Sequence, residues 1–298
     1  MMLKTEEVFQ YLKCEKCHTL SLLEVPQDMA QYYPKHYYSY NGSIPKNSTL
    51  EPLKYLLRCS AMRGRLGCGN IVDTLVSKLK QTAYIWLKND MIDVESHILD
   101  VGCGNGFLLK DMQKYGFKHL IGIDLYAKEE IYEKNLHILK KDITILDKNQ
   151  YDLIMYHHSF EHIINPHQEL NLLYNKLKDG GTLLIRIPLC DSYAFRKYQE
   201  YWVQLDAPRH IFLHTIKSMH LLAKRHHFRI DDIVYDSTSF QFTGSECYLQ
   251  NLSMGEYSKI FTSKELKILD KKSKELNNLH DGDSACFYLK KMEKNAKH

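Results

Sequence analysis

"ILDVGCGNGFLL", residues 98–109, sets Gly102, Gly104 and Gly106 at alternate positions between two apolar flanks. Glycine weakens a helix or strand interior by roughly 0.5–1 kcal/mol relative to alanine, so three within five residues mark backbone that needs positive φ or close approach. The preceding run, HILDVG (97–102), has the make-up of a buried strand, and the apolar residues after Gly106 open a helix. A strand that ends in a glycine turn and leads into a helix offers unpaired N–H groups to a ligand. A bare tight turn would use the same residues. A dinucleotide fingerprint, G-x-G-x-x-G, is disfavoured because Phe107 stands at its last glycine.

Outward from this stretch, short apolar runs alternate with amphipathic ones. HLIGIDL (119–125), LHILKKDI (136–143), YDLIMYH (151–157) and TLLIRIP (182–188) read as buried strands. The clearest helix between them spans Pro166 to Lys178, with Leu170, Leu173 and Leu177 on one face, Asn165 at its start and Gly180 at its stop. Such alternation predicts an α/β fold: a doubly wound, Rossmann-like, mostly parallel sheet. RIDDIVYD (229–236) and SACFYLKK (284–291) complete it with an antiparallel edge strand. Residues 96–298 form the main domain, with cap insertions at about 188–214 and 237–280. Residues 1–95 form a small accessory segment: a tyrosine-rich stretch, then helical periodicity from about Ile71 to Leu87. Asp124 falls at the tip of the second strand, 18 residues past Gly106, where an acid accepts hydrogen bonds from ribose hydroxyls.

Composition bounds the function classes. A chain of 298 residues, 44% hydrophobic and 26% charged, is ordinary for a globular protein. It has no run of about 18 uncharged apolar residues and no apolar signal core near Met1, so a cytoplasmic protein without a membrane segment is expected. Eight scattered cysteines read as reduced thiols. The net charge of +4 lies on a mixed surface, which disfavours a nucleic-acid partner.

Taken in order, ILDVGCGNGFLL, GIDL, KKDI, YDLIMYHHSFEHIINP and LKDGGTLLIRIP resemble the motif series of class I S-adenosylmethionine-dependent methyltransferases from about residue 96 to 236. YWVQLDAPRHIFLHTIKSMHLLAKRHHF is similar to a branch of that family found with surface-polysaccharide and sugar-modifying genes, as is the tyrosine-rich N-terminal segment with its zinc-ribbon-like Cys14 and Cys17. The resemblance implies S-adenosylmethionine as cofactor, with Asp100, Gly102, Cys103, Gly104 and Gly106 in the loop that binds it around its methionine part. It places Asp124 at the ribose, Leu125 beside the adenine, Asp142 and Ile143 at the adenine edge and face, and His157 under the cofactor. Cys103 lies in the same loop and reads as a small buried side chain rather than a nucleophile. No metal is expected, since Cys14 and Cys17 supply two of the four ligands that a closed zinc site needs.

A sulfonium is already an activated electrophile, so the protein's tasks are in-line alignment and removal of the acceptor's proton. His162, after Glu161 in the FEH element, is the leading base, with anchoring of the loop as its structural alternative; His158 is second. Asp206, Arg209 and His210 are expected to bind the acceptor from a loop over the same mouth, Arg209 clamping an acidic group or else pairing with Asp206. Tyr38 and Trp202 belong to a candidate aromatic lid, although core packing explains most of the tyrosines equally. The function expected is methyl transfer to a small-molecule acceptor, including sugars and sugar nucleotides. The alternative is a cofactor-binding regulatory protein that catalyses nothing.

Overall fold

The computed structural model describes residues 7–33, 51–79, 84, 86–88 and 91–293. Its strands are β1 (Tyr11–Lys13), β2 (Leu20–Leu22), β3 (His97–Val101), β4 (His119–Ile123), β5 (Ile131–Glu133), β6 (Leu136–Leu139), β7 (Tyr151–His157), β8 (Leu177–Pro188), β9 (Phe212–Leu213), β10 (Phe228–Tyr235) and β11 (Ser284–Lys291). Its helices are α1 (Glu51–Leu66), α2 (Ile71–Leu79), α3 (Phe107–Gln113), α4 (Pro166–Lys176), α5 (Tyr193–Tyr198), α6 (Ile216–Arg225), α7 (Phe240–Leu249) and α8 (Ser263–Asn278). The chain divides into two compact units. One comprises Lys35–His157 and Asn171–Leu184; the other comprises Met1–Pro34, His158–Leu170 and Ile185–His298.

In the unit containing β3, the strand order is β8-β7-β3-β4-β6-β5. β3 pairs in parallel with both β4 and β7, and β4 pairs in parallel with β6. The central strands are nearly continuous apolar runs, as strands covered on both faces must be: Ile98, Leu99, Leu153, Ile154 and Met155 are fully buried. From β3 the chain winds outward to β4 and β6 on one side, then returns to β7 on the other, so β3 and β7 flank the point where strand order reverses.

In the other unit the order is β10-β11-β8, and β8 contributes residues to both units. β11, last in sequence, sits between β8 and β10 and pairs antiparallel with β10, giving the expected antiparallel edge. A second sheet joins β1, β2 and β9, with Leu20 opposite Leu213 and Ser21 opposite Phe212. That pairing places the N-terminal hairpin in the same unit as residues 212–213, so the division does not fall at residue 96.

Helix α2 is described over Ile71–Leu79, and part of the expected helix beyond it, residues 80–83 and 85, lies outside the described residues. Two of the expected boundaries move because a polar group ends the element. The strand from Leu136 stops at Leu139, because Asp142 caps a single 3-10 turn over Ile143–Ile145. Helix α4 ends at Lys176 and not Lys178: the N–H groups of Asn149 and Gln150 donate to the carbonyls of Asn175 and Lys176, both at 2.9 Å, and Leu177 begins β8. The edge strand β5, antiparallel to β6, has no counterpart in the sequence reading.

Candidate functional site

At the switch point the glycine loop and the tip of β4 are tied together. Gly102 and Cys103 donate to the Ile123 carbonyl at 2.8 and 3.3 Å. Gly104 N–H donates to Asp124 Oδ2 at 2.8 Å, and Tyr126 N–H to Asp124 Oδ1 at 2.7 Å. Asp124 therefore points into the loop, and each oxygen keeps lone-pair capacity for a further hydroxyl donor. The loop backbone is left-handed at Gly104 (φ 56°) and Gly106 (φ 70°), and a Cβ on Gly106 would lie 2.4 Å from Ile138 Cδ1. Only glycine fits there. Asp100, near the carboxyl end of β3, is 3% exposed; burial, reinforced by the neighbouring Asp124 charge, pushes its pKa up to about 8. A buried acid with its pKa so raised is mostly neutral at neutral pH, and a cationic ligand beside it favours its ionised form.

The remaining expected cofactor residues divide. Leu125 is exposed beside Asp124. Asp142 is exposed, and its Oδ1 accepts from Thr144 N–H at 2.7 Å. Ile143 is 4% exposed, so its side chain belongs to the core and is not a free face for an adenine, contrary to the sequence expectation. Cys103 Sγ packs beneath the loop, 2.6 Å from where a Cβ on Gly122 would stand, and burial raises its pKa well above the ordinary thiol value. Any part it plays in ligand binding falls to its backbone. His157 ends β7 with its ring edge-on to Trp86 at 4.7 Å.

From His157 the chain passes directly into the other unit at His158, whose φ of 54° marks a strained turn out of the strand. A 3-10 turn over Phe160–His162 then folds Glu161 inward. Glu161 is fully buried, with Oε1 3.7 Å from His158 Nδ1 and 3.8 Å from His210 Nε2. Burial alone would raise its pKa; the imidazoles of His158, His162 and His210 outweigh burial and hold it at about 2. His162 Nδ1 lies 2.8 Å from the Arg209 carbonyl and 3.3 Å from Tyr33 Oη. His210 Nδ1 lies 2.7 Å from the Gln204 carbonyl, and burial lowers its pKa to about 4. Burial lowers His162 as well.

Two expected acceptor contacts are structural. Arg209 is 0% exposed and pairs with Asp206, Nη2 to Oδ1 at 2.6 Å, so it is a buried ion pair and not a surface clamp. Trp202 is also 0% exposed, packed in a core cluster with Leu20, Tyr198 and Phe242, and its Nε1–H donates to Asp283 Oδ2 at 2.9 Å. It is therefore no lid. Tyr38 lies outside the described residues.

The sequence reading missed a polar cavity of about 160 Å³ in this same unit, lined by His158, Gln204, Ser237, Gln241, Asp283 and Ser284 among others. Gln241 is 1% exposed, and its Oε1 has no hydrogen-bond partner among the described residues. Burial raises Asp283 to about 6. These side chains come from four separated segments with no common motif, so no sequence signal could have grouped them.

A family model described as a methyltransferase domain matches residues 73–233, more than half of the chain. The chain is 31% identical over 108 residues to a tRNA U34 carboxymethyltransferase of Helicobacter acinonychis, covering 32% of this chain and 41% of that one. It is 30% identical over 106 residues to a malonyl-[acyl-carrier protein] O-methyltransferase of Priestia megaterium, covering 33% and 39%. It thus spans about two fifths of the length of these curated relatives. Among solved structures, a SAM-dependent methyltransferase from Archaeoglobus fulgidus aligns at a TM-score of 0.43 with 19% identity, over 66% of this chain and 86% of that one. Among the described residues no helix is long and apolar enough to cross a membrane.

Proposed function

The chain belongs to the methyltransferase domain family, and on that premise we propose that it transfers the methyl group of S-adenosylmethionine to a small hydroxylated acceptor, with sugars and sugar nucleotides as the first class to test. The observation that carries the cofactor half is Asp124 docked on the Gly104 N–H at the switch point of the parallel sheet. Asp124 would hold the ribose, Asp100 with Gly102, Gly104 and Gly106 the methionine part, and Leu125 with Asp142 the adenine surroundings. When bound, the cofactor supplies an electrophilic methyl on sulfur; the protein's part is to orient the acceptor and take its proton.

For that proton the exposure of the histidines favours His158 over His162. His158 keeps 30% of its side chain exposed and lines the polar cavity, whereas the His162 ring is anchored to the Arg209 carbonyl. Hydroxyl, amide and carboxyl side chains line that cavity beside Phe240, and polar groups of this kind orient a hydroxylated ligand.

The test is transfer of isotope from methyl-labelled cofactor into a panel of sugars and sugar nucleotides, followed by mass identification of the product. His158→Ala lowers turnover by roughly 100-fold or more, the range of a lost general base, and leaves cofactor affinity within about twofold. Undiminished turnover removes His158 from the role. No transfer to any member of the panel removes sugars as acceptors, and bound cofactor that is never consumed across a broad acceptor screen favours a binding module.

A further inference from the structure

Glu161, His162 and His210 bring one carboxylate oxygen and two imidazole nitrogens within 4.8 Å of one another, the sole such cluster among the described residues. Three features of the cluster remain unexplained by the proton-transfer reading. Glu161 is 0% exposed, yet neither of its oxygens has a hydrogen-bond partner among the described residues; its nearest imidazole nitrogens, at 3.7 and 3.8 Å, are beyond hydrogen-bond length. Imidazoles at that distance lower the cost of the buried carboxylate without coordinating its oxygens, and a cation bound directly to it compensates the charge more fully. The Arg209 guanidinium pairs with Asp206 at 2.6 Å.

The imidazoles are also oriented. His162 Nδ1 faces the Arg209 carbonyl at 2.8 Å and His210 Nδ1 faces the Gln204 carbonyl at 2.7 Å. A carbonyl only accepts, so each Nδ1 carries its hydrogen and each neutral ring keeps its lone pair on Nε2. Metal-ligating histidines are held this way by backbone carbonyls, which fix tautomer and ring angle.

We infer that Glu161, His162 and His210 form a three-ligand site for a divalent transition-metal ion of the Zn²⁺ type. Two imidazoles and one carboxylate suit that class, whereas Mg²⁺ and Ca²⁺ select sites built from oxygen alone. Bound there, the ion neutralises the buried Glu161 charge. Three protein ligands leave a coordination position open to water or another oxygen donor. The site stands on these residues alone and does not depend on the methyl-transfer reading.

Cys14 and Cys17 are competing ligands, so the test uses Cys14→Ser/Cys17→Ser protein, a change confined to residues outside the cluster. Its metal-free form is titrated with Zn²⁺ and with Co²⁺ in the absence of any cofactor, with circular dichroism as the check on folding. The expected result is one equivalent of Zn²⁺ per chain and a Co²⁺ form with d–d absorption but no thiolate charge-transfer band. Glu161→Gln and His210→Ala in that background weaken Zn²⁺ by roughly 100-fold while the dichroism is unchanged. No binding by the folded serine variant overturns the site, as does binding that Glu161→Gln and His210→Ala leave intact. Zinc held by wild-type protein and lost with the two cysteines assigns the metal to the hairpin and overturns the site equally.

Discussion

Asp100 and Asp124 show how two like residues diverge within one loop. Asp124 stands beyond the β4 end and accepts from two backbone N–H groups, while Asp100 is buried in β3 with its pKa raised to about 8. A carboxyl raised in the free protein favours its neutral form at neutral pH, and a cationic ligand favours the ionised form. Binding of S-adenosylmethionine therefore strengthens as pH rises through about 8, by up to about tenfold per unit below that value, and levels off above it. Titration calorimetry across that range checks this: Asp100→Asn flattens the profile, and a profile unaltered by Asp100→Asn assigns the dependence elsewhere. The sequence made both acids legible, because motif spacing fixes what lies at a strand end. It left Trp202 misread and Arg209 open between a clamp and a pair with Asp206, because residue type says nothing about which way a side chain turns. Both are fully buried, and each hydrogen-bonds a buried carboxylate.

Among the elements, those read correctly are the ones whose apolar period is uninterrupted. SACFYLKK becomes β11 at the expected residues, and YDLIMYH becomes β7. Helix α4, read too long, is cut by hydrogen bonds from Asn149 and Gln150, and β6 by the Asp142 cap that follows it. The glycine loop is the element on which the most depends. Alanine at Gly106 would adopt a left-handed φ of 70° and press its Cβ to 2.4 Å from Ile138 Cδ1. Left-handed backbone costs a non-glycine residue about 1–2 kcal/mol, and overpacking about 1–3 kcal/mol more. Gly106→Ala thus lowers stability by about 2–5 kcal/mol in denaturant unfolding. Pairing it with Ile138→Ala, which removes the clash but not the strained φ, brings the double variant closer to the Ile138→Ala single variant than Gly106→Ala lies to wild type. Strict additivity in that cycle would show that no contact is involved.

At the scale of the whole molecule, alternating strands and helices announced the sheet, and its order follows from winding outward twice from β3. The accessory hairpin was not legible as a partner of residues 212–213, because a two-residue strand such as β9 carries no periodicity. Nor was the Glu161, His162 and His210 cluster, whose members come from segments nearly fifty residues apart. The central claim remains that the switch point of the parallel sheet is an adenosyl-cofactor site hooked by Asp124. Titration calorimetry of S-adenosylmethionine against wild-type protein and Asp124→Ala, with both folds verified by thermal melting, tests it most directly. The account predicts one saturable site at tens of micromolar or tighter, weakened about ten- to hundred-fold by the loss of charged hydrogen bonds in the variant. Absence of saturable binding, or equal affinity in Asp124→Ala, would contradict it.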